Sequence, residues 1–186
     1  MQIILKDSQK IKLEKDKTLV LPFFEGEKIN KEFDKFKDVY SCLEQGEFRL
    51  AVSERGENIV FFNFGEKEKY NQRKFILNIR KITRFLKDNK IKQSCIILEN
   101  IIPTEKNRKN SVKQAVENIY LADYEFNQYK EKPKKGWSKI QSIEIYLKEP
   151  RKHQEDLKQG EVIGQATNFT RDLANTPGGE MTPQKL

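Results

Sequence analysis

The side chains that most often carry chemistry are sparse in this chain. His153 is the single histidine, and it follows Arg151 and Lys152. Cys42 and Cys95 are the two cysteines, far apart and in no CxxC pair. A two-metal centre needs several carboxylates or imidazoles converging on one place. Here the acidic residues are dispersed among lysines. There is no His-Glu-x-x-His run, no Gly-x-Ser-x-Gly elbow and no Walker-type loop. A nucleophilic cysteine wants a base beside it, and His153 is read as an exposed polar residue near a helix start. Cys95 lies in the apolar run Cys95-Ile96-Ile97-Leu98, where a thiol behaves as a small hydrophobe. No catalytic residue, cofactor ligand or metal ligand is therefore assigned.

Two groups of residues invite a functional reading. Arg171 and Asp172 are adjacent and of opposite charge. They could form an ion pair at a site, but satisfying backbone groups of a turn is the favoured role. Tyr124, Phe126 and Tyr129, followed by Lys130, could stack on bases. Packing under the sheet edge is favoured, because their spacing runs from a helix end into a loop. Residues 130–139 form a basic loop with Trp137, the best nucleic-acid candidate. A plain surface loop is the preferred reading.

The elements that must position these groups follow from hydrophobic periodicity. Ile3-Ile4-Leu5 and Thr18-Leu19-Val20-Leu21 read as strands, the second ended by Pro22. Phe33, Phe36, Val39, Tyr40 and Leu43 make one face of a helix over 30–45. Strands are expected at 48–52 and 59–62 around a turn at 55–58. Phe75, Ile79, Ile82 and Leu86 define a helix over 71–87, whose basic opposite face is solvated. The run 95–98 is a strand covered on both faces. A helix over 111–124 and an alternating strand over 140–147 follow, and Pro150 closes the unit. The long helix 153–174 has Leu157, Val162, Ala166, Phe169 and Leu173 as its apolar seam. The sum is an α/β fold with a mixed, largely parallel sheet and helices on both faces, followed by a long linker helix.

Composition bounds the rest. The 186 residues allow one core of ordinary size. The net charge is +8, with lysine far ahead of arginine. Readers of nucleic-acid sequence favour arginine for its bidentate fork, so a solvated surface is preferred over a nucleic-acid partner. The N-terminal residues do not form a signal peptide. No apolar run approaches the roughly 18 residues of a membrane span. The cysteine usage fits a reducing, cytoplasmic setting.

At the C-terminal end, Asn175 and Pro177-Gly178-Gly179 stop the long helix. Thr182-Pro183 is then a helix start, Thr as N-cap and Pro at the first helical position. A helix signal with three residues behind it leads to the expectation that further sequence follows.

Thr170-Arg171-Asp172-Leu173-Ala174-Asn175-Thr176-Pro177, followed by Met181-Thr182-Pro183-Gln184-Lys185-Leu186, closely resembles the domain-junction signature of the leucyl (cytosol) aminopeptidase family. That signature is Arg-Asp-Leu-x-Asn-x-Pro, then Thr-Pro-x-x-Leu. Tyr124-Glu125-Phe126-Asn127-Gln128-Tyr129-Lys130 is similar to the family's Tyr-x-Phe-x-x-Tyr-Lys segment. Phe64-Gly65-Glu66-Lys67 is a weaker third match. The resemblance spans 64–186, and earlier residues fit in pattern only.

The resemblance implies a macro-domain-like N-terminal domain over 1–150, a linker helix over 151–174 and the start of a catalytic domain over 175–186. It implies that Tyr124, Phe126, Tyr129, Lys130, Arg171, Asp172, Asn175, Pro177, Thr182 and Pro183 are signature residues with structural roles. For the parent enzyme it implies release of N-terminal residues from peptides by two divalent metal ions, Zn or Mn, and a hexameric assembly. The family's metal ligands, catalytic lysine and arginine lie in the C-terminal domain, so this chain alone is expected to be inactive. The alternatives are a nucleic-acid-binding module and a macro-like nucleotide-binding domain.

Overall fold

The computed structural model describes residues 1–12, 14–27, 29, 31–103, 110–134 and 136–182. Six strands form one sheet: β1 (Gln2–Asp7), β2 (Thr18–Phe23), β3 (Phe48–Val52), β4 (Asn58–Asn63), β5 (Gln93–Ile97) and β6 (Ser142–Leu147). Their order is β1-β6-β5-β2-β4-β3. Every neighbouring pair is parallel except the β3–β4 hairpin. Among the described residues, four α-helices accompany them: α1 (Lys37–Tyr40), α2 (Gln72–Asp88), α3 (Ser111–Asp123) and α4 (Gln154–Asn175).

Alternation along the strands sends successive side chains to opposite faces. Val20, Val60, Phe62, Ile96, Ile143 and Ile145 point to one face and meet the apolar sides of α2 and α3. Leu19, Leu21, Ile59, Phe61, Cys95 and Tyr146 point to the other and meet Phe33, Phe36, Tyr40 and Leu43. Because both faces are covered, the central strands carry apolar side chains on both sides, as parallel sheets require. Asn71 caps α2, its side chain accepting a hydrogen bond from the Lys74 amide at 3.0 Å.

Three expectations are corrected. The helix over 30–45 is a 3-10 turn at Lys31–Phe36 followed by the single turn of α1. Phe33 and Phe36 still face the core, because a spacing of three suits a 3-10 helix as well as an α-helix. Pro22 does not end β2, which runs through to Phe23. The Phe23 carbonyl accepts from Phe64 on the β4 side, so by alternation Pro22 faces the β5 side. Pairing with β5 ends at Val20↔Ile96, before a ladder donor is needed from a residue that has none.

The third correction concerns α4. Its buried seam is not the large apolar row: Val162 is 66% exposed and Phe169 62% exposed. The buried positions are Leu157, Gly160 and Gly164. A Cβ on Gly160 would lie 2.6 Å from the Lys113 carbonyl oxygen, and one on Gly164 would lie 2.6 Å from Tyr120 Cβ. The two glycines let the backbones of α3 and α4 approach closely, and α4 lies along α3 rather than standing free.

Candidate functional site

The signature residues converge where α3 and α4 end together. The last carbonyls of a helix have no partner within it. In α3 they are met from outside: Asn168 Nδ2 donates to the Tyr120 carbonyl at 2.9 Å and Arg171 Nη1 to the Leu121 carbonyl at 3.1 Å. Lys87, a buried cation on α2, donates to the Asp123 carbonyl. Two cations at this end also suit the negative pole of the helix.

Beyond the helix end, the Tyr124 hydroxyl donates to Asp172 Oδ1 at 2.9 Å and accepts from Asn175 Nδ2 at 3.2 Å. The Arg171 guanidinium sits 5.4 Å from the centre of the Tyr124 ring. Burial, the Asp172 charge and the hydrogen bond to Asp172 raise the Tyr124 phenol, against the Asn175 hydrogen bond, so it stays a neutral donor. Phe126 and Tyr129 pair their rings at 5.6 Å, and the Tyr129 hydroxyl donates to Glu180 Oε2 at 2.8 Å. The Tyr124 and Tyr129 hydroxyls therefore contact the C-terminal end of α4 and the residues after it. Lys130 is exposed. The Pro177 carbonyl accepts from the amides of Glu180 and Met181, which closes the turn. Thr182 is half-buried, while Pro183 lies outside the described residues. The helix expected to start there is likewise outside them.

Arg171 and Asp172 do not pair with each other at a reactive centre. One caps α3, and the other holds Tyr124 and accepts the Thr176 amide through its carbonyl. Sequence reasoning placed Lys87 on the solvated face of α2, whereas it is buried, and it missed Asn168, Gly160 and Gly164. The Gly160-x-x-x-Gly164 spacing was the available signal, since small residues four apart share one helix face.

A second polar cluster lies inside the sheet. Glu144 on β6 is buried and meets Lys6 Nζ at 2.8 Å and Lys17 Nζ at 3.0 Å. It also accepts from the Tyr146 hydroxyl at 3.1 Å and the Cys95 thiol at 3.5 Å. Burial alone would raise the Glu144 carboxyl, but hydrogen bonds from both lysines and the Lys17 charge hold it down at about 2. Burial, then the Glu144 charge and the hydrogen bond to it, push the Cys95 thiol up to about 12. A carboxylate locked in its charged form and a thiol locked in its neutral form supply neither a general acid nor a nucleophile near pH 7.

A cleft of about 890 Å³ opens at the carboxyl ends of β2 and β5, with Leu21, Pro22, Phe23, Phe24 and Ile97 among its walls. Among the described residues, no group of three or more His, Cys, Asp or Glu side chains is placed to hold a metal ion. The described residues do not fit a two-metal centre, and no metal step is derived from them. No described helix is long and apolar enough to cross a membrane.

The arrangement defines a class: an α/β domain on a mixed, largely parallel sheet, with a long helix locked along its side. A model of the cytosol aminopeptidase family, N-terminal domain, matches residues 51–133. Over those residues the chain is similar to that N-terminal domain. A probable cytosol aminopeptidase of Persephonella marina is 36% identical over 84 residues, covering 44% of this chain and 16% of the relative. One from Bacillus subtilis is 23% identical over 131 residues, covering 70% of this chain and 26% of the relative. The chain thus spans a minor part of the curated relatives it matches. In fold it is similar to a tomato leucine aminopeptidase variant, with a TM-score of 0.73, 14% identity and coverage of 100% of this chain and 40% of that one. The bottromycin maturation enzyme BotP superposes with a TM-score of 0.64 at 14% identity, covering 91% of this chain and 34% of that one.

Proposed function

We propose that this chain serves as the non-catalytic N-terminal portion of a leucyl-aminopeptidase-like enzyme, one that removes N-terminal residues from peptides in the cytoplasm with two Zn or Mn ions. Its own task is mechanical. It sets the direction in which the chain continues toward a catalytic domain and contributes to a hexamer. The observation that carries this reading is the junction, where Tyr124, Arg171, Asp172 and Asn175 fix the end of α4 against α3. A long helix held only at its start would leave the following chain unaimed. The match to the N-terminal domain of the cytosol aminopeptidase family supports the assignment of the parent activity.

The test is a fusion of this chain to the catalytic portion of the Persephonella marina relative, compared with that portion alone. The fusion is expected to sediment as a hexamer with metal-dependent hydrolysis of leucyl-p-nitroanilide, and the isolated portion to lose the hexamer. A fusion that sediments as a monomer, or an isolated portion that assembles equally well, rejects the assembly role.

A further inference from the structure

The last strand of the sheet has a free edge. β3 stands at the end of the strand order and pairs with β4 alone. In an antiparallel pair, alternate residues turn their backbone groups toward the neighbouring strand. The Asn63 amide donates to the Glu47 carbonyl at 3.2 Å, and the Ser53 amide to the Glu57 carbonyl at 2.9 Å. With the observed register, Arg49 and Ala51 therefore turn their amides and carbonyls toward β4. Those of Phe48, Leu50 and Val52 point out of the sheet.

The same three residues share one side-chain face. Phe48 stacks on Phe62 at 4.0 Å and on Phe85 of α2 at 4.3 Å. α2 ends at Asp88, and further along β3 the face is open: Leu50 is 51% exposed and Val52 58%. Folded proteins commonly blunt an edge strand with lysine, proline or a bulge. β3 has no lysine or proline, and its register with β4 is unbroken. Its one charged residue, Arg49, projects to the opposite face, with Ala51.

A free strand edge is completed by another strand, and β3 fits its own reverse. Consider a two-fold antiparallel pairing with Ala51 opposite Ala51 of a second copy. Leu50 then faces Val52 of that copy, and Val52 faces its Leu50. Both outward backbone pairs exchange hydrogen bonds, and the exposed apolar side chains meet across the seam. Arg49 faces Ser53, and Glu47 faces the hairpin turn that carries Arg55. Among the described residues, neither Glu47 nor Arg55 has an ion-pair partner within the chain. Other centres fit less well. An axis at Arg49 opposes two arginines, and one at Val52 opposes Arg49 to Arg55. An axis at Leu50 loses the opposition of Glu47 to Arg55.

We propose that β3 pairs with β3 of a second copy of this chain, across a two-fold axis at Ala51, to give one continuous sheet. The interface is isologous and closes at the dimer. It needs neither a catalytic portion nor a metal ion, so it is read on the 186-residue chain alone, and its failure leaves the enzyme assignment untouched.

The test is sedimentation velocity of the whole chain from about 5 to 500 μM, with amide hydrogen exchange at both ends of the range. One strand pair is a small interface, so half-dimerisation is expected between about 10 and 200 μM. The Leu50 and Val52 amides should exchange at least about tenfold more slowly at the high concentration. Leu50→Lys, at an exposed position, should weaken association at least about tenfold while the far-UV circular dichroism is kept. Cys42 is exposed and Cys95 buried, so register is read in a Cys42→Ser background. There Ala51→Cys should give a disulfide-linked dimer under mild oxidation, because facing Cα atoms of a non-hydrogen-bonded pair lie about 4.5 Å apart. Val52→Cys should cross-link far less. A chain that stays monomeric to about 500 μM overturns the proposal, even if its edge takes up an added extended peptide. So does a dimer that Leu50→Lys leaves intact, one whose Leu50 and Val52 amides exchange as fast as in the monomer, or cross-linking at Val52→Cys in place of Ala51→Cys.

Discussion

At the scale of single residues, Glu144 and Tyr124 each join several polar partners. Glu144 is shared by Lys6 and Lys17 inside the second layer. Glu144→Gln removes the charge that both cations face. Breaking a buried pair from one side costs on the order of 3 kcal/mol, which urea unfolding of the variant should show. The wild-type chain should also respond to acid. The unfolded carboxyl takes up its proton near 4.5 and the folded one near 2. Between these values the unfolded state binds more protons, so stability present above about pH 4.5 is lost as pH falls toward 2, by about 3 kcal/mol from this group. Urea midpoints measured between pH 6 and pH 2.5 should fall for the wild type and stay flatter for Glu144→Gln. Tyr124 is the second case. Tyr124→Phe keeps the ring under Arg171 and deletes the hydroxyl that joins Asp172 and Asn175. A loss of about 1 kcal/mol is expected, concentrated in faster hydrogen exchange over the last turn of α4.

None of the Glu144 network was legible in the sequence. Lys6, Lys17, Cys95 and Glu144 are brought together by parallel pairing of strands remote in the chain, and no local spacing encodes such a meeting. The junction was partly legible: Tyr124, Arg171 and Asn175 stood out as signature residues, while their partners on α3 did not.

Among the elements, periodicity served well where a helix lies on a sheet. For α2 and α3 the rows Phe75, Ile79, Ile82, Leu86 and Val112, Ala115, Val116, Ile119 are the buried faces. Most strands were found from short apolar runs, and β6 from its alternation. For α4 the same rule misled. A helix packed on another helix through glycines buries backbone, and glycine carries no hydrophobic signal. Substitution should expose this. Gly160→Ala gains up to about 1 kcal/mol in helix propensity. It also drives a methyl group to 2.6 Å from a backbone carbonyl oxygen. The clash wins, and a net destabilisation of about 1–2 kcal/mol is expected by thermal or urea unfolding. Val162→Ala, at an exposed position of the same helix, should change stability by less than about 0.5 kcal/mol.

For the whole molecule, the sheet, both covering layers and α4 form a scaffold whose most elaborate contacts are at its C-terminal junction. Hydrogen bonds there satisfy the end of α3, hold the end of α4 and close the turn at Pro177. In the second polar cluster, Glu144 is held charged and Cys95 neutral near pH 7. The most direct measurement is hydrolysis of leucyl-p-nitroanilide by the purified 186-residue chain, with Mn or Zn titrated in and metal binding followed by calorimetry. No turnover above the metal-only blank, and no stoichiometric metal binding, is the predicted result. Metal-dependent turnover by this chain alone would contradict the account.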